Sequence, residues 1–185
     1  MRRSLPLRFP EGWVTVAVAP GAGSTGDMFL SVKGQKSGVI KGEAADAKHA
    51  NEIEVVSWSW GMQGKPSLGG GNPSGKAVIQ ELKIVKNVDS ASTPLMAAMR
   101  ANELITTAKL VVRKAGKTPL EFLKVTIQDG RVTSIALDGG DGPAGPELVE
   151  RVSFSFNKIT IEYVPQGKDG QGGASTMFED QFSQT

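Results

Sequence analysis

Between residues 28 and 164, apolar and polar side chains alternate in short runs rich in Val, Ile, Thr and aromatic residues, broken by Gly and Pro. A two-residue period puts successive side chains on opposite faces of an extended chain, so the pattern predicts β-strands with one face in a core. Strands are expected at 28–33, 52–60, 76–88, 107–114, 120–128, 132–137 and 149–164. One stretch has helical spacing instead. Ser92 or Thr93 can cap free amides, Pro94 suits the first helical position, and Leu95, Met96 and Met99 recur along one side. A helix this short needs a tertiary surface, so it is expected to pack against or plug the β-domain.

Two of these strands change phase. Ile53 and Val55 share one parity, whereas Val56, Trp58 and Trp60 share the other. Val152, Phe154 and Phe156 share a parity that Ile159, Ile161 and Tyr163 do not. A one-residue slip carries the whole apolar set to the opposite face, so each change predicts a β-bulge or a corner where the strand passes between sheets. Asp129-Gly130 lies between two alternating runs and tolerates positive φ, which predicts a tight hairpin there. The fold class that follows is mainly β: a closed barrel of two packed antiparallel sheets, one short α-helix and a long extended loop. Closure is preferred to an open sandwich because it removes exposed sheet edges.

The extended loop is 61–75, with six glycines, two prolines and no period. A hairpin connection needs only two to five residues, and longer loops tend to serve a function. This one is expected to reach a neighbouring subunit through Gly61, Met62, Lys65, Leu68, Gly70 and Asn72. Trp58, Trp60, Phe154 and Phe156 are expected in the core. Ser57 and Ser59 would then face solvent or a water-filled channel.

The chain of 185 residues is 39% hydrophobic and 22% charged, which suits one soluble folded domain. Residues 1–26 are read as an N-terminal extension and 27–185 as the domain. The net charge of +2 arises entirely from Arg2, Arg3, Arg8 and Glu11, so the domain itself is neutral and shows no nucleic-acid footprint. No apolar run is long enough to span a membrane. Pro6, Arg8, Pro10 and Glu11 interrupt any signal-peptide core, so no cleaved signal is expected. With no cysteine, disulfides, thiolate metal sites and cysteine nucleophiles are excluded.

Catalytic chemistry finds little support. His49 is the sole histidine and sits in a polar stretch, where a surface or turn-stabilising role is expected. Glu52 and Glu54 read as a solvated strand face rather than a glycosidase pair. Gly69-Gly70-Gly71 and Gly139-Gly140 lack phosphate-loop context and read as turns. Residues 138–142 lack the acidic spacing of a calcium loop. Neither an active site, a cofactor nor a metal is expected. A sugar-binding β-sandwich using Trp58 and Trp60 is the alternative from another functional class.

Six segments in order resemble the haemolysin-coregulated protein family of type VI secretion systems. They are Gly26-Asp27-Met28-Phe29-Leu30; His49-Ala50-Asn51-Glu52-Ile53-Glu54-Val55 running into Ser57-Trp58-Ser59-Trp60-Gly61-Met62; the glycine-rich loop; Ser92-Thr93-Pro94-Leu95-Met96; Val111-Val112-Arg113-Lys114-Ala115-Gly116; and Val152-Ser153-Phe154-Ser155-Phe156 leading to Glu162-Tyr163-Val164-Pro165-Gln166. The resemblance covers about residues 26–170, with a weaker echo at Met177-Phe178 and Phe182. It implies a non-enzymatic subunit of hexameric rings that stack into a hollow tube, with sheath, baseplate and spike proteins as partners and effectors in the lumen. It also implies assembly in the bacterial cytoplasm followed by secretion. A tail-tube subunit of another phage-like contractile machine is the alternative within the same structural class. Residues 1–25 have no counterpart in the family, and the tail around Gly170, Gly172 and Gly173 departs from it.

Overall fold

The computed structural model describes residues 26–64, 77–114, 119–142, 145–167 and 170–182. Its strands are β1 (Gly26–Gly34), β2 (Gly38–Ile40), β3 (Ile53–Ser59), β4 (Met62–Gln63), β5 (Val78–Ile79), β6 (Leu82–Asn87), β7 (Ile105–Lys114), β8 (Leu120–Gly142), β9 (Gly145–Ser155), β10 (Lys158–Tyr163) and β11 (Thr176–Gln181). The helix α1 (Ser92–Arg100) lies between β6 and β7. Antiparallel pairing runs β8–β7–β1–β3–β6–β9 and returns to β8, which closes a six-stranded barrel. Strands β10 and β11 extend one sheet beyond β8, β2 pairs with the end of β1, and β4–β5 form a separate ribbon. Strand β1 already pairs at Gly26, one residue ahead of the expected domain boundary.

Closure comes from strands that serve both sheets. The phase change in β3 is a bulge: its register against β6 shifts between Val55 and Ser57, and Val56 is turned out to solvent. The phase change near residue 157 is a corner. Strand β9 ends in ladders with β6 at Phe154 and with β8 at Ser155, and β10 begins at Lys158 in the ladder with β11. Alternation on each side of these breaks fills one core, with Leu30, Ile53, Leu82, Leu110, Ile127, Phe154 and Ile159 almost without exposure.

The expected hairpin at Asp129-Gly130 is not formed. Residues 120–128 and 132–137 belong to one strand, β8, whose first part pairs with β7 and β10 and whose second part pairs with β9. Asp129 does adopt positive φ (53°), but Gly130 does not, so the backbone turns a corner instead of reversing. Gly130 is required there for space: a Cβ would lie 2.3 Å from the Ser155 carbonyl oxygen of the crossing strand.

Other expectations shift in detail. Residues 76–88 divide into β5 and β6, and 149–164 into β9 and β10. Gly139 and Gly140 are strand residues paired with Leu148 and Glu147, not a turn. Helix α1 docks through Leu95 and Ala98 as a short helix must, but neither Ser92 nor Thr93 caps it and Pro94 is its third residue. Asp89 holds the entry instead, its carboxylate accepting from the Ala91 amide and its carbonyl from the Ser92 amide.

Candidate functional site

Beyond the bulge at Val56, β3 carries Ser57 and Ser59 on one parity and Trp58 on the other, a parity that Trp60 continues past the strand end. Trp58 and Trp60 pack against the core cluster but remain half-buried. Phe154, with 0% exposure, and Phe156 lie deeper, in the core itself. Ser59 is exposed and Ser57 intermediate. From Trp60 the chain enters the ribbon β4–β5, where Met62 pairs with Ile79 and the Gly61 carbonyl accepts from the Gln80 amide. Met62 and Val78 present apolar surface to solvent at the base of the long loop. Lys65, Leu68, Gly70 and Asn72 lie outside the described residues, as do residues 1–25.

His49 is not on the surface. Its ring is buried, stacks on Phe29 at 4.4 Å, and has Nδ1 2.9 Å from the Glu52 carboxylate and Nε2 3.6 Å from that of Glu121. It does stabilise a turn, which ends at Asn51 with φ of 62°. Asp46 reinforces the same turn by accepting from the Lys48 and His49 amides. The Arg113 guanidinium donates to Asp46 and Asp27 at 2.7 Å each, tying the turn to β7 and β1. That hydrogen bond from Arg113, helped by the Lys48 amide, holds the Asp46 carboxyl at about 2, well below the usual range. The same carboxylates, Asp46 first, push the Arg113 pKa up. These groups together hold one turn against β1 and β7.

Two further polar clusters were not anticipated. Lys86 on β6 and Glu150 on β9 are fully buried partners, joined by Ser92 and Asp89. Their position could have been read from phase, because Lys86 continues the inward parity of Leu82 and Ile84, and Glu150 that of Val152 and Phe154. Glu103 pins the β1–β2 turn by accepting from the Lys36 and Ser37 amides and the Ser37 hydroxyl. These bonds, the Ser37 amide foremost, lower its pKa. Its partners lie some 66 residues away in sequence, which leaves no local signal.

Among the described residues no group of three or more His, Asp or Glu is placed to hold a metal ion, and no helix is long and apolar enough to cross a membrane. What the surface offers is apolar side chains on strand edges and ribbons, suited to contact with another protein.

The chain is similar to known proteins of the type VI secretion system. A family described as "Type VI secretion system effector, Hcp" matches residues 29–163. The protein hcp1 of Pseudomonas aeruginosa is 37% identical over 147 residues, covering 78% of this chain and 86% of that protein. The crystal structure of Hcp1 from Salmonella typhimurium superimposes with a TM-score of 0.68 at 33% identity, over 85% of this chain and 95% of that one. A type VI secretion system effector from Yersinia pestis gives 0.65 at 29%, over 84% and 99%.

Proposed function

Because the chain belongs to the Hcp family of type VI secretion systems, we propose that it is a structural subunit of the secretion tube, with no enzymatic role. Six copies form a ring, rings stack into a hollow tube, and sheath contraction ejects the tube with effectors in its lumen. The observation that carries this reading is the family match across residues 29–163, which runs from within β1 to the end of β10. Physical features support it. A closed barrel is a rigid ring segment, and a domain with balanced charge can stack without strong self-repulsion. Assembly takes place in the bacterial cytoplasm, and export proceeds through the secretion machine without a cleaved signal; sheath, baseplate and spike proteins are the partners.

In this reading Ser57 and Ser59 face the lumen, where they touch cargo. The loop 61–75 reaches an adjacent subunit, with Met62 and Leu68 as apolar anchors and Gly61, Lys65, Gly70 and Asn72 shaping its path. Met62, already exposed at the base of the loop, is consistent with that role. Electron microscopy and native mass measurement of the purified chain test the proposal. Six-membered rings are the expected result, and a monomer throughout the micromolar range would overturn it. Removal of residues 67–73 is expected to spare the barrel and weaken assembly and secretion; tubes and secretion at the normal level would show that the loop has no such role.

A further inference from the structure

Strands β8 and β9 remain paired beyond the barrel. Their ladder runs on to Gly142 and Gly145, whereas the pairing of β6 with β9 stops at Asn87 and Val149. Residues 139–142 and 145–148 are thus a two-stranded ribbon with no third strand among the described residues, and such a ribbon is marginal in water by itself. Its inward face is the continuation of the face that carries Ile135, Glu150 and Val152 into the core. On that face Leu137 is 54% exposed and Leu148 58%. Asp141 shares that face and Glu147 lies on the opposite one, and both are exposed.

On the other side of α1 lies a groove of about 880 Å³ between the helix and the β1–β2 hairpin. Pro94, Ala97 and Ala101 form an apolar wall, and Val39, Lys36 and Lys41 form the rim, Val39 being 62% exposed. Small side chains keep the wall shallow enough for a strand to approach closely. The rim is fixed in advance, because Glu103 holds the turn by three hydrogen bonds and both lysines are left exposed above it. Preorganisation of this kind reduces the entropic cost of association.

We propose that the β8–β9 ribbon of one copy of this chain docks in the α1–β2 groove of the next. This rests on the ring reading and deepens it by naming the two faces that meet. Charge supports the match, since the ribbon carries one exposed carboxylate on each face, Asp141 and Glu147, and the groove's rim carries Lys36 and Lys41, and so does the apolar content of both surfaces. Helix α1 separates them within one chain: Met96, Met99 and Arg100 turn toward Leu137, while Pro94, Ala97 and Ala101 turn toward the groove. Donor and acceptor are therefore different patches, and such an interface repeats head to tail until a ring closes.

The test is a charge exchange in the full chain, read by analytical ultracentrifugation over a concentration series. Lys36→Glu with Lys41→Glu, and separately Asp141→Lys with Glu147→Lys, are each expected to weaken association by about tenfold or more. The four changes together are expected to recover much of that loss, which nonspecific damage would not do. All four side chains are exposed, and circular dichroism confirms that the barrel is intact. If the parent chain assembles and neither pair of changes weakens it, or if the combined variant is no better than the pairs, this interface is wrong while the ring stands. If the parent chain stays monomeric, the ring reading fails and the interface with it.

Discussion

Lys86 Nζ lies 2.6 Å from Glu150 Oε2 across the β6–β9 ladder, and neither side chain has any exposed surface. The ammonium also donates to Asp89 and to the Asn87 carbonyl, while Ser92 donates to Glu150, so the network links two barrel strands to the entrance of α1. A buried pair is a weak source of net stability, because desolvation offsets most of its attraction. Its consequence is directional: each charge forbids any arrangement that leaves the other alone.

Lys86→Met leaves Glu150 in the core without its cation. The expected cost is about 3–5 kcal/mol, and replacing both residues, by Lys86→Met with Glu150→Leu, restores most of it. Urea denaturation of the two variants decides. A single variant as stable as the double would mean that the pair imposes nothing.

Acid sensitivity has a definite sign. Asp46, whose ordinary pKa is 3.8, is held at about 2 in the folded chain by Arg113. A depressed carboxyl stabilises the fold fully above its unfolded pKa, and that contribution is lost as pH falls through the window between the two values. Glu103 and Glu179 are lowered as well and act in the same direction. Stability is therefore expected to fall between about pH 4 and pH 2, and Asp46→Asn to fall less steeply over that range. Urea midpoints measured at half-unit pH steps check this; equal slopes for the two proteins would refute it.

Much of the architecture was legible because phase is local. The slip at Val56 and the break after Phe156 were written in the parity of apolar residues, and both proved to be places where a strand bulges or turns a corner. Pairing partners were not legible. Asp129 signalled positive φ, but whether such a residue reverses the chain or bends it depends on β7, β9 and β10, which lie elsewhere in sequence. His49 in a polar stretch gave no sign of Phe29 stacked over it. Strand β11 escaped notice because most of its residues are exposed, so it lacks the alternation that marked the others. The candidate functional residues fall on both sides of this limit: Phe154 is buried as its parity suggests, whereas Trp58 and Trp60 reach the core only in part.

Burial ranks the aromatic substitutions. Phe154 has no exposed surface, so Phe154→Ala is expected to cost about 3–5 kcal/mol, as do comparable core truncations. Trp58→Ala removes a larger ring that is only half-buried and is expected to cost less than about 3 kcal/mol. Denaturation midpoints give the order directly, and a Trp58 variant less stable than the Phe154 variant would reverse the ranking.

The corner in β8 separates two reasons for a small or permissive residue, and adjacent positions test them apart. Asp129 has φ of 53°, a region where a Cβ is strained but where a short polar side chain is tolerated. Asp129→Gly is therefore expected to leave stability within about 0.5 kcal/mol or to raise it, and Asp129→Ala to lower it by about 1 kcal/mol. Gly130 lacks positive φ, so its need is space alone, since the Ser155 carbonyl sits where a Cβ would be. Gly130→Ala must push β9 away from the corner and is expected to cost about 1–3 kcal/mol. A hairpin turn would give a different pattern, with both positions conformationally strained and neither pressed against a crossing strand. Hydrogen exchange adds the second readout: loosening in Gly130→Ala should be greatest at the Arg131–Ser155 end of the β8–β9 ladder. If exchange there matches the parent chain and the midpoint is unchanged, the close crossing at Gly130 is not what holds the corner.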